Sequence, residues 1–242
     1  MWLPTLPGIT TCLWMAPLVA AYVVAAGVLC GWLKARRGMR TGDTRKIFHF
    51  AIFTAAALLS HRFGIDAVNL LGGIAGLYVL AVLRLGPGNS LYEAMARETD
   101  APRRSLHVVL PFVATALGGM VSTTLFGRLA IVGFAVSGCA DAIAEPIGIR
   151  FGRHRYRVPS LCAGVRSERS IEGSAAVLVA AFLAAAIALW IETSEPPRAA
   201  QGILAAAAAI CAVSAVVEAL SPHGLDNLTL QLAASGTAWA LQ

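Results

Sequence analysis

Two carboxylates, Asp141 and Glu145, stand four residues apart in the segment GCADAIAEPIGIRFGRHRYR, which runs from Gly138 to Arg157. Residues four apart in a helix lie on one face, where two like charges repel each other. A bound cation would relieve that repulsion, and Mg²⁺ commonly takes one or two carboxylates together with substrate phosphates. The pair therefore predicts a site for Mg²⁺ and a phosphorylated ligand.

Glycines and arginines follow the two acids. Pro146 should kink or end the helix that carries them, and Gly148 and Gly152 would let the chain turn and approach a ligand closely. Arginines such as Arg153 suit phosphate because the guanidinium fork binds two oxygens at once. A second predicted phosphate-binding element is the N-terminus of the next helix, whose residues are Arg169, Ser170, Glu172, Gly173 and Ser174.

Other polar residues stand at the ends of apolar segments, namely Arg45, Lys46, His49, Glu218, Asp226 and Asn227. Such residues are costly at membrane depth unless they are paired or face a polar cavity, so several at one membrane face suggest a single site. Structural roles are open to them as well. Arg45 and Lys46 would serve as headgroup anchors, and Asp226 would suit the N-cap of the last helix.

The composition indicates which elements must position these residues. The chain of 242 residues is 57% hydrophobic and 13% charged, whereas soluble domains carry about 25% charged residues. We therefore predict an all-α polytopic membrane protein, a single integral domain over 1–242 with about eight transmembrane helices and seven as the lower count. The predicted spans are 12–33, 47–61, 65–83, 105–122, 127–147, 173–191, 200–219 and 227–241.

The charge distribution predicts the orientation in the membrane. The net charge of +6 comes mainly from loops after the first, third and fifth spans, which the positive-inside rule places in the cytoplasm. Both termini are then outside, nucleic acid is not an expected partner, and the carboxylates share the cytoplasmic face of what we expect to be a bacterial inner membrane. In the loop after the third span, SLYEAMARE predicts either an interfacial helix capped by Ser90 or a solvated connector.

Four motifs occur in order: RKIFHF at 45–50, DAIAEPIGIRFG at 141–152, RSIEGS at 169–174 and EALSPHGLDNL at 218–228. Together, over about residues 45–230, they resemble the CTP-dependent polyprenol, phytol and dolichol kinase family, in particular its short phytol kinase-like members. The resemblance implies a membrane enzyme that transfers the γ-phosphate of CTP to a long-chain isoprenoid alcohol such as phytol, geranylgeraniol, farnesol or a polyprenol. No Walker-type G-x-x-x-x-G-K-[ST] motif is present.

Carried over residue by residue, the resemblance makes Asp141 the family's central acid. It also assigns the nucleotide-binding glycines to Gly148–Gly152, the E-G-[ST] step to Glu172–Ser174 and the D-N pair to Asp226–Asn227. Two departures stand out. Arg169 replaces the usual lysine, which keeps the charge but changes the donor geometry, and Gln231 falls near an expected proline.

The mechanism we predict consists mainly of positioning and charge neutralisation. Asp141, with Asp226 or Asn227, would hold Mg²⁺ on the triphosphate. Arg153, Arg169 and the amides of the following helix would contact phosphate oxygens, while Lys46 or Arg45 would stabilise the transferring group. The candidates for a general base are Glu145, Asp226 and His49, and the sequence does not choose among them.

Two alternative functions stay open. A cytidylyltransferase of the phosphatidate type would also use CTP, Mg²⁺ and an acidic helix followed by glycines, but it would join the nucleotide to a lipid phosphate. An ion-coupled transporter would use the same ionisable residues as an ion path. The clustering of these residues at one predicted membrane face disfavours a transporter. The oligomeric state is not predicted.

Overall fold

The computed structural model describes residues 5–158, 167–192, 200–222 and 224–242. Eight long helices occupy this part of the chain: α1 (Ile9–Arg37), α2 (Thr41–Phe63), α3 (Ile65–Leu85), α5 (Leu106–Phe126), α6 (Ala130–Phe151), α7 (Ile171–Glu192), α8 (Ala200–Leu220) and α9 (Asp226–Ala240). A short helix, α4 (Ser90–Glu93), lies between α3 and α5. Each long helix corresponds to one predicted span, so the all-α prediction is confirmed.

One element was not predicted. Strands β1 (Arg155–Val158) and β2 (Ser167–Ser170) form an antiparallel ribbon between α6 and α7. The ribbon occupies the basic loop in which we expected only turns, because alternation over four residues is too short a pattern to indicate a strand by itself.

Five stretches are long and apolar enough to cross a membrane: α1, α3, the continuous segment Leu106–Phe151 that contains α5 and α6, α7 and α8. These stretches indicate a polytopic integral membrane protein. Helices α2 and α9 are not among these stretches. α9 has only 15 residues, about 22 Å of helix, and α2 carries charged or polar residues at both ends.

The chain divides into two compact units, Met1–Phe112 and Val113–Gln242. In the first unit, α1, α2 and α3 pack against one another. Tyr78 of α3 stacks on Phe48 of α2 with ring centroids 5.4 Å apart. Gly27 of α1 lies directly against the Tyr78 ring, where even a methyl group would overlap it.

The connector between α3 and α5 packs against the start of α2. Thr41 and Thr44 donate hydrogen bonds to the carbonyls of Glu93 and Ala94, at 2.9 and 2.7 Å. Tyr92 and Ala96 within the connector are buried. The connector is therefore a folded part of the first unit, and the prediction of a solvated connector is wrong for it.

Helix α4 matches the predicted interfacial helix only in part. It has four residues, and its N-cap is Asn89, whose side chain accepts a hydrogen bond from the Leu91 N–H at 3.0 Å. The predicted cap, Ser90, lies one residue inside the helix. Asparagine and serine cap helices about equally well, so local propensity alone could not choose between the two neighbours.

In the second unit, α6, α7, α8 and α9 form a ring in which each helix packs against two others. Successive helices run in opposite directions. The C-terminal ends of α6 and α8 therefore lie beside the N-terminal ends of α7 and α9. We call this the charged end of the second unit, because Asp141, Arg169, Glu218 and Asp226 are all in the segments that meet there.

Candidate functional site

Three predicted residues from three separate elements meet at the charged end. Arg169 of β2 forms ion pairs with the carboxylates of Glu218 in α8 and Asp226 in α9, the latter at 3.3 Å. Its guanidinium also donates to the carbonyl of Glu218 and, at 3.4 Å, to that of Ser221. The three side chains are only 11%, 9% and 12% exposed. This Arg169 cluster (Arg169, Glu218 and Asp226) pairs charges that would be very costly to bury alone.

Asp226 has protein donors on both of its oxygens. Oδ2 faces Arg169, and Oδ1 accepts a hydrogen bond from the Asn227 N–H at 3.1 Å. Helix α9 begins at Asp226, and Leu225 occupies the N-cap position. The alternative role of Asp226 as an N-cap is therefore wrong, and its carboxylate serves the ion pair with Arg169.

Two buried amide side chains lie next to the Arg169 cluster. Asn227 is 5% exposed and Gln231 is fully buried. Nε2 of Gln231 donates to the carbonyl of Asn227 at 2.5 Å and to that of Thr115 in α5 at 3.2 Å. Oδ1 of Asn227 and Oε1 of Gln231 have no hydrogen-bond partner among the described residues. A buried acceptor without a donor costs about 1–3 kcal/mol, which points to a ligand or water at this place.

Asp141 lies on the buried face of α6, level with the start of α9. Gly133 of α6 packs so closely on α9 that a β-carbon there would lie 2.6 Å from the Gln231 carbonyl. Asp141 is eight residues further along, about 12 Å, and α9 runs in the opposite direction. This step brings Asp141, which is 8% exposed, close to the start of α9. Glu145, one turn beyond it, is half-buried.

Helix α6 does not end at Pro146. It continues to Phe151 with Pro146 inside it, so of the two predicted outcomes, a kink or an end, the end is wrong and the kink stays a prediction. Proline removes one backbone hydrogen bond, and helices inside membrane bundles tolerate that loss because neighbouring elements compensate for it. Gly148 is accordingly helical, and Gly152 is the C-cap with φ −66°, a conformation that any residue can adopt.

The glycines of the site allow α6 to approach the start of α7. A β-carbon on Gly148 would lie 2.9 Å from the Ser170 hydroxyl, and one on Gly173 would lie 2.9 Å from the Ala144 carbonyl. Close packing thus explains both glycines within the protein. Their predicted contact with a nucleotide, and that of Gly152, stays a prediction.

Ser170 is used by the protein as a helix cap. Its hydroxyl accepts a hydrogen bond from the Gly173 N–H at 3.1 Å, and the Ile171 N–H donates to the His154 carbonyl at 2.9 Å. Two amides in the first turn of α7 therefore have partners in the protein. The expectation of a helix start with unoccupied N–H groups is wrong for these two.

The remaining predicted residues of this turn anchor the ribbon. The carboxylate of Glu172 lies 2.9 Å from Nδ1 of His154, and the hydroxyl of Ser174 lies 2.7 Å from that of Tyr156. Tyr156 pairs with Arg169 across the ribbon. Sequence reasoning missed Tyr156, and only the strand register could have identified it.

The ribbon presents arginines on its other face. Cross-strand partners share a face and neighbours alternate, so Arg155 and Arg157 point away from the face that carries Tyr156 and Arg169. Arg153, Arg155 and Arg157 are all exposed. Among its described residues, the second unit thus has one arginine with a largely buried side chain, Arg169, and a set in contact with solvent.

The first unit holds the other predicted residues. Arg45 lies 4.0 Å from Asp100, and the His49 ring lies 4.4 Å from that of Phe53. Lys46 is half-buried on the same helix, α2. Their roles in the reaction stay predictions. His223, in the fourth motif, lies outside the described residues.

A magnesium ion requires oxygen ligands, and few of the described side chains at the charged end can supply them. Within the described ranges, no group of three or more His, Cys, Asp or Glu side chains is arranged to hold a metal. The second unit instead has one buried carboxylate, Asp141, on the part of α6 that lies toward the start of α9, where the amide oxygen of Asn227 has no partner among the described residues. Such a sparse set fits Mg²⁺, which takes many of its ligands from water and substrate phosphates.

Comparison with known proteins gives one clear relative. The chain is 28% identical over 229 residues to a phytol kinase of Synechocystis sp., and the match covers 94% of this chain and 92% of that protein. The chain is a homologue of that phytol kinase. A match of this length includes all four motifs, so the phytol kinase-like resemblance is confirmed. No family model and no solved structure match the chain.

Proposed function

We propose that this protein is a lipid alcohol kinase that transfers the γ-phosphate of CTP to a long-chain isoprenoid alcohol. The observation that carries the proposal is the similarity to a phytol kinase along nearly the full length of both chains. The apolar helices provide apolar surface within the membrane, against which an isoprenoid tail would pack. The charged end supplies the polar groups that a phosphorylated substrate requires.

Asp141 is the residue to which we assign Mg²⁺, with Asp226 and Asn227 as the other predicted ligands. The ion would neutralise the triphosphate as charge shifts during transfer. Asp226 suits this role least, because both of its oxygens already have protein donors. The unpartnered oxygen of Asn227 suits it better.

Arg169 would act by positioning. Its guanidinium is held by two carboxylates and two carbonyls. Because its donors are occupied in this way, its role would be to orient Asp226 at the start of α9 and not to contact a phosphate. The phosphate-binding role then passes to the exposed arginines of the ribbon, of which Arg153 was predicted. Lys46 or Arg45 would stabilise the transferring group.

Of the three candidates for a general base, Asp226 is the weakest. Its two oxygens accept from Arg169 and from the Asn227 N–H, so the positions that would take a proton are already occupied. Glu145 and His49 are the remaining candidates. A loose transition state would need little help from a base.

The membrane orientation is part of the proposal. The basic ribbon lies beside the charged end in the same unit, and the positive-inside rule places such segments in the cytoplasm. The site would then face cytoplasmic CTP in a bacterial inner membrane, with both termini outside.

The direct test uses purified protein in detergent with Mg²⁺ and a panel of isoprenoid alcohols. CTP labelled at the γ-phosphate and CTP labelled at the α-phosphate are supplied in parallel, with γ-labelled ATP as a donor control. We expect label in the lipid only from γ-labelled CTP. Transfer of the α-label to a lipid phosphate would identify a cytidylyltransferase instead, and transfer from neither position would reject both enzymatic functions.

A further inference from the structure

Gln231 is the most deeply buried large polar side chain at the charged end, and the reaction proposed above leaves it without a role. It is 0% exposed and lies on α9, where that helix contacts α5 and α6. Its Nε2 has two acceptors, the carbonyls of Asn227 and Thr115. Because both partners are carbonyls, they fix which end of the carboxamide is nitrogen. The other end must be the oxygen, and it has no donor among the described residues.

Gly119 of α5 and Phe134 of α6 lie beside this oxygen. A β-carbon built on Gly119 would lie 3.5 Å from Oε1 and 3.3 Å from the ring of Phe134. A metal ion would need several oxygen ligands, and no group of three or more His, Cys, Asp or Glu side chains that could hold one occurs among the described residues. The oxygen therefore calls for a single hydrogen-bond donor.

The position of the oxygen matches the reacting end of a lipid. Nε2 lies 2.5 Å from the Asn227 carbonyl, and Oε1 belongs to the same planar carboxamide. Oε1 therefore lies near the first turn of α9, at the charged end. A lipid alcohol whose tail lies between helices would bring its hydroxyl to this end of the unit.

We infer that Oε1 of Gln231 accepts a hydrogen bond from the hydroxyl group of the lipid alcohol and so orients its oxygen toward the phosphate. The inference rests on the proposed function for the identity of the alcohol. A neutral carboxamide accepts a hydrogen bond but does not take up the proton. Gln231 thus binds and orients the substrate, and the proton leaves by another group.

The test compares two ligands that differ only at the hydroxyl group, farnesol and farnesyl methyl ether. Their dissociation constants are measured without nucleotide, for the full chain in detergent. One net hydrogen bond corresponds to about a fivefold preference for the alcohol, and we expect that ratio in the wild type. Gln231→Leu should reduce the ratio to about one. Gln231→Met, closer in length, serves as a second variant.

The ratio compares the two dissociation constants on the same variant. A general loosening of the bundle that weakens the binding of both ligands therefore leaves the ratio unchanged. Thr237→Val is the matched control, because the Thr237 hydroxyl already donates to the Ala233 carbonyl at 2.8 Å, and it should keep the wild-type ratio. A wild-type ratio of one, or a ratio that survives in Gln231→Leu, overturns the inference.

The outcome is separable from the proposed function. A chain that prefers farnesol through Gln231 but transfers no phosphate from CTP would reject the kinase and keep the hydroxyl site. A chain that transfers phosphate but binds the two ligands equally would keep the kinase and reject the hydroxyl site.

Discussion

The two units each contain an arginine held by a carboxylate, and the two arrangements differ in origin. In the first unit, Arg104 lies 2.5 Å from Glu93, eleven positions earlier in the same connector. It also donates to the carbonyls of Ala96 and Arg97, at 2.5 and 3.0 Å. In the second unit, Arg169 joins β2 to α8 and α9, whose carboxylates lie 49 and 57 positions away.

The surroundings of the two arginines differ as well. Every nitrogen of the Arg104 guanidinium has an acceptor, and its charge lies 5.1 Å from the ring of Tyr92. Beside Arg169, in contrast, the buried oxygens of Asn227 and Gln231 lack donors among the described residues. A polar cluster in which every group has a hydrogen-bond partner stabilises the fold. A cluster whose buried acceptors lack donors indicates a binding site for a ligand.

The largest effect should come from the buried carboxylate of α6. Asp141→Asn keeps the shape of the side chain and removes its charge, so we expect phosphate transfer to fall on the order of a thousandfold, the scale of losing one key electrostatic group. Expression and thermal unfolding should change little. Cys139→Ala, two residues away on α6, is the control and should retain activity. A fully active Asp141→Asn protein would contradict the metal assignment.

Arg169→Met should produce the largest loss of stability. It leaves two buried carboxylates without their partner, and removal of one member of a buried ion pair costs about 3–5 kcal/mol. Thermal unfolding in detergent measures the effect. Adding Glu218→Gln and Asp226→Asn removes the stranded charges and should recover much of the stability without recovering activity. Recovery of both would mean that the Arg169 cluster has no part in the reaction.

A smaller effect is expected at the packing glycines. Gly173→Ala places a methyl group 2.9 Å from the Ala144 carbonyl, and overpacking of this kind typically costs about 1–3 kcal/mol. Gly72→Ala in α3 is the matched control, because no atom lies within 4 Å of a β-carbon there, and alanine is the better helix former. The control should be neutral or slightly stabilising. Equal unfolding temperatures for the two variants would show that α6 and α7 are less tightly packed.

The smallest effect concerns Glu93. Arg104, by hydrogen bonding, holds the pKa of Glu93 below its ordinary value of 4.5. A lowered pKa in the folded state means that the stabilisation is present above the ordinary value and is lost as the pH falls through the lowered one. Glu93→Gln should therefore lower stability by about 1 kcal/mol near neutral pH.

The pH dependence provides the check on this last prediction. The difference in unfolding temperature between wild type and Glu93→Gln should shrink as the pH falls below the ordinary pKa of 4.5, while activity at neutral pH stays near the wild-type level. A difference that does not depend on pH would mean that the carboxylate charge is not what stabilises the connector.

Hydropathy alone was sufficient to locate the six helices of the five apolar stretches, since each requires only a sustained apolar run. The local details depended on neighbours that hydropathy does not report. Pro146 was expected to kink or end a helix and lies inside one, and the ribbon that positions Arg169 depends on pairing between two strands, β1 and β2. Ser170 and Gly173 stood out from the sequence as residues of a phosphate site, but their contacts are those of a helix cap and a close helix crossing.

The sequence by itself determined that the chain is an all-α membrane protein, that its polar residues are few, and which of them occur in motifs like those of a phytol kinase. Those properties follow from composition, order and local spacing. Only the tertiary structure decided that Arg169 pairs with Glu218 and Asp226, and that Gln231 has a buried oxygen without a donor. Burial and hydrogen-bond pairing depend on contacts between helices distant in sequence, and no local pattern contains that information.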